Sequence, residues 1–112
     1  MHIAVLGAGA WGTALAAHAA RHYPVMVLAR DQALADTINK HHQNPRYLPD
    51  AQLPEALIAS TNLAAVLEHA KMGLTVIATP LAHLASLCQD IVALGKIPQH
   101  LLWLCKGVEP GS

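Results

Sequence analysis

Three glycines near the start of the sequence, Gly7, Gly9 and Gly12, stand at G-x-G-x-x-G spacing within Gly7-Ala8-Gly9-Ala10-Trp11-Gly12. No side chain in this run titrates, so whatever chemistry it performs belongs to the main-chain amides. Gly7 permits a sharp turn. Gly9 lets the backbone approach a diphosphate that a Cβ would push away, and Gly12 lets a following helix lie close to a strand. Free amides and the positive dipole end of that helix then attract phosphate oxygens. Alone the spacing is a weak signal. Here an apolar strand pattern, Ile3 to Leu6, precedes it and an Ala-rich helix pattern, Thr13 to His22, follows it. That context makes a dinucleotide the expected ligand.

Two further positions bear on which dinucleotide and which reaction. A second apolar strand runs from Val25 to Ala29 and is followed at once by Arg30-Asp31. An acid at this point accepts hydrogen bonds from an adenosine ribose, whereas a guanidinium pairs with a 2′-phosphate. Arg30 therefore predicts NADP(H), and Asp31 leaves NAD(H) as the alternative. Lys106-Gly107 comes directly after a fifth strand pattern, Leu101 to Cys105. In an open parallel sheet the carboxyl ends of the strands line the ligand crevice, where a lysine can meet a carbonyl, a phosphate or the nicotinamide amide.

The elements between these positions alternate. Asp31 caps a helix reaching about His41, with Leu34, Ala35 and Ile38 on its inner face. Residues Asn44 to Pro54 carry prolines at 45, 49 and 54 and form a loop. A short strand, Ala56 to Ala59, precedes a helix capped by Thr61-Asn62, whose Leu63, Val66, Leu67 and Ala70 share one face and which Gly73 ends. Leu74 to Ala78 is the next strand. Thr79-Pro80 then starts a helix, with the hydroxyl as N-cap and proline at the first helical position. Its apolar stripe is Leu84, Leu87, Cys88 and Ile91, and Gly95 ends it. Trp103 on the fifth strand belongs to a core or a domain interface. Strands separated by helices imply an α/β fold, a Rossmann-type doubly wound parallel sheet with right-handed crossovers, truncated after the fifth strand. Residues 1–112 form one dinucleotide-binding domain in this reading.

Composition narrows the class. Hydrophobic residues make up 54% of the 112 and charged residues 12%, which excludes disorder and predicts apolar surface covered by another domain or subunit. A formal net charge of zero gives no electrostatic footprint for nucleic acid. Cys88 and Cys105 read as buried small hydrophobes in a reducing compartment. No signal peptide pattern opens the chain and no apolar run approaches the ~18 residues of a membrane span, so a soluble, cytoplasmic protein is expected. The eight histidines include an i, i+4 pair, His18 and His22, but no third ligand accompanies it, and no metal is expected.

Taken together, Gly7-Ala-Gly-Ala-Trp-Gly-Thr-Ala-Leu15, Asn44-Pro-Arg-Tyr-Leu-Pro49 and Cys105-Lys-Gly-Val-Glu-Pro110 closely resemble bacterial NAD(P)-dependent glycerol-3-phosphate dehydrogenase, from end to end of the chain. The resemblance implies a cofactor domain of an enzyme interconverting dihydroxyacetone phosphate and sn-glycerol 3-phosphate, for glycerophospholipid precursor synthesis. By position, Ala10 and Trp11 would line the pyrophosphate, Arg30 and Asp31 the adenosine ribose, and Tyr47 the cofactor, while Lys106 would touch both nicotinamide and substrate. The family's helical carboxy-terminal domain, with its catalytic lysine, is absent. No catalytic residue is therefore assigned here, the chain alone is expected to be inactive, and a homodimer would form through that domain. Two other readings share the glycine loop: a related reductase such as ketopantoate reductase, and a non-catalytic NAD(P)-sensing module. The first fits the Tyr-Leu-Pro loop and the Lys-Gly run poorly, and the second leaves Lys106 unexplained.

Overall fold

The computed structural model describes residues 1–104. The run Ile3–Leu6 is β1, and all four of its residues are buried, as a strand covered on both faces requires. Five parallel strands lie side by side in the order β3-β2-β1-β4-β5, with β2 at Val25–Leu28, β3 at Leu57–Ser60, β4 at Leu74–Ile77 and β5 at Leu101–Trp103. The chain moves outward from β1 through β2 and β3, then returns to the other side of β1. That reversal is the topological switch point where an open α/β sheet forms its crevice. The expected Rossmann-type doubly wound sheet is what the chain forms.

Side-chain alternation along the strands sorts the helices onto two faces. Ile3 and Val5 of β1, Val25 and Val27 of β2, and Leu57 and Ala59 of β3 share one core cluster with Ala16, Leu34 and Ile38. Those last three belong to α1 (Ala10–Ala19) and α2 (Gln32–His41). Ala4, Leu6 and Ile77 point the opposite way, onto Val66, Leu67 and Ile91. These belong to α3 (Leu63–His69) and α4 (Leu81–Leu94). The outer edge at β3 is protected. Asn39 on α2 donates through Nδ2 to Ala59 O at 2.9 Å and accepts from Ala59 N at 2.8 Å, so part of the free strand edge is paired by a side chain.

Four local expectations meet a different outcome. α1 begins three residues before Thr13, because Gly9 itself sits at the N-cap and Thr13 N already donates to Gly9 O at 2.9 Å. It also ends before His22, where bonds from Arg21 N to His18 O and from His22 N to Ala19 O tighten the last turn ahead of Pro24. Thr79 does not cap α4: Pro80 occupies the cap position, and the Thr79 hydroxyl instead donates to Leu6 O at 2.8 Å. Cys88 is exposed rather than part of the α4 stripe; among the described side chains of α4, Leu84, Leu87 and Ile91 join the core cluster. Trp103 is 44% exposed, so it is not a core residue. With Val92, Leu94, Ile97, Leu101 and Leu102 it gives the β5 end of the molecule an apolar exterior, of the kind the low charge content predicts.

Candidate functional site

At the carboxyl end of β1 the chain leaves the sheet through Gly7, whose φ of +130° only glycine adopts without strain. A Cβ there would also stand 2.8 Å from Ala78 O, so β1 and the turn after β4 are in main-chain contact. Gly12 is just as confined, because a Cβ would collide with the carbonyl oxygen of Gly7. Gly9 is the opposite case. Nothing lies within 4 Å of where its Cβ would be, so the space in front of it is open. Two glycines pack the loop and the third bares it.

The helix that follows is left uncapped. No side chain accepts from the first turn of α1, and no acidic residue lies in that turn. α2 and α3 are built differently: Asp31 accepts from Leu34 N, and Asn62 accepts from Ala65 N. The amides of Ala10, Trp11 and Gly12 precede the first intrahelical donor and are therefore available to an external acceptor. An anion is the partner that such amides and the helix dipole favour.

These amides open onto a cleft of about 1010 Å³ that crosses the carboxyl ends of β1, β2 and β4. Gly7, Gly9, Ala10, Trp11, Gly12, Arg30 and Tyr47 all line it, so seven of the positions singled out in the sequence share one site. Asp31 is not among its lining residues. Lys106 lies outside the described residues. Trp11 and Tyr47 are 36% and 40% exposed, aromatic faces left bare at the mouth. His83, Ser86 and Asp90 of α4 complete the far wall.

The Asn44–Pro54 loop reaches this cleft through a buried polar knot. Asn44, fully buried, donates to Thr13 Oγ1 at 2.8 Å and to Ala8 O at 3.0 Å, and its Oδ1 accepts from Tyr47 N at 3.2 Å. Thr13 Oγ1 in turn donates to Ala8 O at 3.1 Å. The glycine loop, the start of α1 and the loop bearing Tyr47 are thus one hydrogen-bonded unit. Asn44 and Thr13 stood inside motifs noted in the sequence, but their joint role required the fold.

Charge beside the end of β2 is organised around Asp31. Its Oδ1 accepts from Leu34 N at 2.7 Å and its Oδ2 from Arg46 Nη1 at 2.8 Å. The Leu34 amide first, and then the Arg46 guanidinium, hold its carboxyl below the usual carboxylate range. Arg46 also stacks against Tyr47, 5.9 Å from the ring centroid, and lines the cleft. Sequence reading passed over Arg46, although it lies between the quoted Pro45 and Tyr47. Among the described residues no carboxylate pairs with Arg30, and no three His, Cys, Asp or Glu side chains come together in a way that holds a metal ion.

The family described as NAD-dependent glycerol-3-phosphate dehydrogenase N-terminus matches residues 2–112. The chain belongs to that family. Among curated proteins, glycerol-3-phosphate dehydrogenase [NAD(P)+] of Burkholderia cenocepacia (strain HI2424) is 47% identical over 111 residues, which is 97% of this chain and 33% of the relative. The chain thus spans about a third of the length of the curated relatives it matches. Of the solved structures, the glycerol-3-phosphate dehydrogenase of Coxiella burnetii superposes with a TM-score of 0.83 at 32% identity, covering 98% of this chain and 34% of that one. A probable 2-dehydropantoate 2-reductase from Bacillus subtilis superposes at 0.69 over 96% of this chain and 34% of that one, but at 19% identity, a likeness of fold alone. In this member of the family the uncapped α1 and the bare Gly9 face the cleft. None of the helices in the described residues is long and apolar enough to cross a membrane.

Proposed function

We propose that the chain is the cofactor-binding part of an NAD(P)-dependent dehydrogenase that interconverts dihydroxyacetone phosphate and sn-glycerol 3-phosphate. The observation that carries this reading is the uncapped first turn of α1 beneath a bare Gly9, inside a cleft large enough for a dinucleotide, in a chain of this family. The residues present fit the group. Gly7, Gly9 and Gly12 shape the loop, the amides of Ala10 and Trp11 lie against the diphosphate, and Tyr47 stands beside the cofactor. Arg30 stands at the adenosine ribose, where it favours NADP(H) over NAD(H). When bound, the nicotinamide supplies a hydride equivalent to the substrate's carbonyl carbon.

What this chain's own residues contribute is binding and orientation. The Asn44 knot fixes the loop bearing Tyr47 against the glycine loop, so the two walls are held at a set distance before any ligand arrives. Lys106 would serve the nicotinamide amide and the substrate oxygen, where it would polarise the carbonyl. The general acid belongs to the part of the relatives that this chain does not span.

An assay of NADPH oxidation by dihydroxyacetone phosphate, run on the protein at the length of its relatives, tests the proposal. Lys106→Ala lowers kcat/KM by ~100-fold, the scale of one lost oxyanion donor. A change below about twofold removes that lysine from the reaction, and no turnover in the unaltered protein removes the activity.

A further inference from the structure

The Arg30-Asp31 pair is ambiguous in sequence, since one residue suits a 2′-phosphate and the other a ribose 2′-hydroxyl. In the fold the two part company. Arg30 lines the cleft and Asp31 does not. Both carboxylate oxygens of Asp31 already accept hydrogen bonds, one from Leu34 N and one from Arg46 Nη1. A second guanidinium is thereby fastened to the residue that follows Arg30, and Arg46 is itself a lining residue of the same cleft.

We infer that Arg46 is a second cation for a phosphate on the adenosine ribose, and that Asp31 is a positioning residue that holds it there rather than an acceptor for the ribose. This rests on the dinucleotide reading above and extends it to the recognition of the 2′ position. A guanidinium has five N–H donors, and the bond to Asp31 uses one of Nη1, leaving the rest to point elsewhere. Two guanidiniums around one phosphate is the arrangement that planar, bidentate donors favour. As a bare surface ion pair the Arg46–Asp31 contact would have little to do, because both side chains are about half exposed, at 52% and 42%, and such pairs contribute little to stability. Asp31 also offsets the charge of one of the two cleft-lining arginines, leaving a net single positive charge for an anion to meet. Tyr47 limits Arg46 from the other side, so the guanidinium is held by the carboxylate and an aromatic face together.

The test is a titration of the chain with NADPH, NADH, 2′,5′-ADP and 5′-AMP, followed by ligand and tryptophan fluorescence, on Arg46→Gln, Arg46→Lys, Arg30→Gln and Asp31→Asn. Arg46→Gln raises the Kd for NADPH and 2′,5′-ADP about tenfold and leaves NADH and 5′-AMP within about twofold, the scale of one charge-assisted hydrogen bond. Arg46→Lys recovers part of the loss. Asp31→Asn keeps the helix cap, since asparagine caps as well as aspartate, and leaves NADH within about twofold. An Arg46→Gln effect that is equal for phosphorylated and unphosphorylated ligands, or absent, overturns the inference. So does a tenfold loss of NADH affinity in Asp31→Asn, which would make Asp31 a ribose acceptor. If Arg30→Gln alone abolishes the preference for NADPH, this inference fails while the dinucleotide reading stands. If the unaltered chain binds none of the four, both fail.

Discussion

Asn44 Nδ2 lies 2.8 Å from Thr13 Oγ1, across 31 residues of sequence, and through that bond a proline-rich loop is clamped to the first turn of α1. Both residues are fully buried. The consequence is that the wall carrying Tyr47 and Arg46 and the floor carrying the glycine loop are positioned by one amide group.

Asn44→Ala removes the donors to Thr13 and Ala8 and the acceptor for Tyr47 N, leaving Thr13 Oγ1 and Ala8 O with only the bond between them. A loss of about 2 kcal/mol in urea-induced unfolding is expected, with weaker nucleotide binding in the molecules that remain folded. Asn44→Asp does no better, because a carboxylate cannot donate to Ala8 O. Unchanged unfolding midpoints in both variants would mean that the knot is incidental.

The three loop glycines separate by what surrounds them. Gly9→Val leaves the thermal unfolding midpoint near that of the unaltered chain, since its Cβ enters open space, yet abolishes NADPH binding. Gly12→Val lowers the midpoint itself, because the Cβ meets the Gly7 carbonyl. Calorimetry and fluorescence titration of the pair check this. Retained affinity in Gly9→Val would place the ligand elsewhere.

Acid weakens the contacts that Asp31 makes with Leu34 and Arg46. The Asp31 carboxyl is held below its ordinary range in the folded chain by the Leu34 amide and by Arg46, so its contribution is full above the unfolded pKa. It is lost as pH falls from about 4 through the lower folded value. The fall in thermal midpoint between about pH 5 and pH 3 is therefore shallower in Asp31→Asn, which caps α2 but does not titrate. The effect is small, because the pair is half exposed and screened by solvent. Equal slopes in both proteins would assign the acid loss to other carboxylates, Glu68 beside Lys96 among them.

Much of this was legible in the sequence for physical reasons that can be named. β1 and β2 lie inside the sheet and read as unbroken apolar runs, β4 does so except at Thr75, and the Asp31 and Asn62 caps announce their helices. The glycine loop was recognisable because an apolar run precedes it and an Ala-rich stretch follows it. What escaped depended on contacts distant in sequence. The Thr79 hydroxyl serves a carbonyl 73 residues away rather than its own helix. Cys88 faces outward while Leu84, Leu87 and Ile91 join the core, a choice of face that periodicity alone does not reveal. Arg46 pairs with Asp31 across 15 residues, a contact that only the fold makes.

The central claim is that a diphosphate rests on the leading amides of α1. Amide chemical shifts of the ¹⁵N-labelled chain, recorded as NADPH is added, address it most directly. The account predicts that Gly9, Ala10, Trp11 and Gly12 shift furthest and saturate together, with smaller changes at Arg30 and Tyr47. Saturable binding that leaves those four amides unmoved and shifts another surface would contradict it.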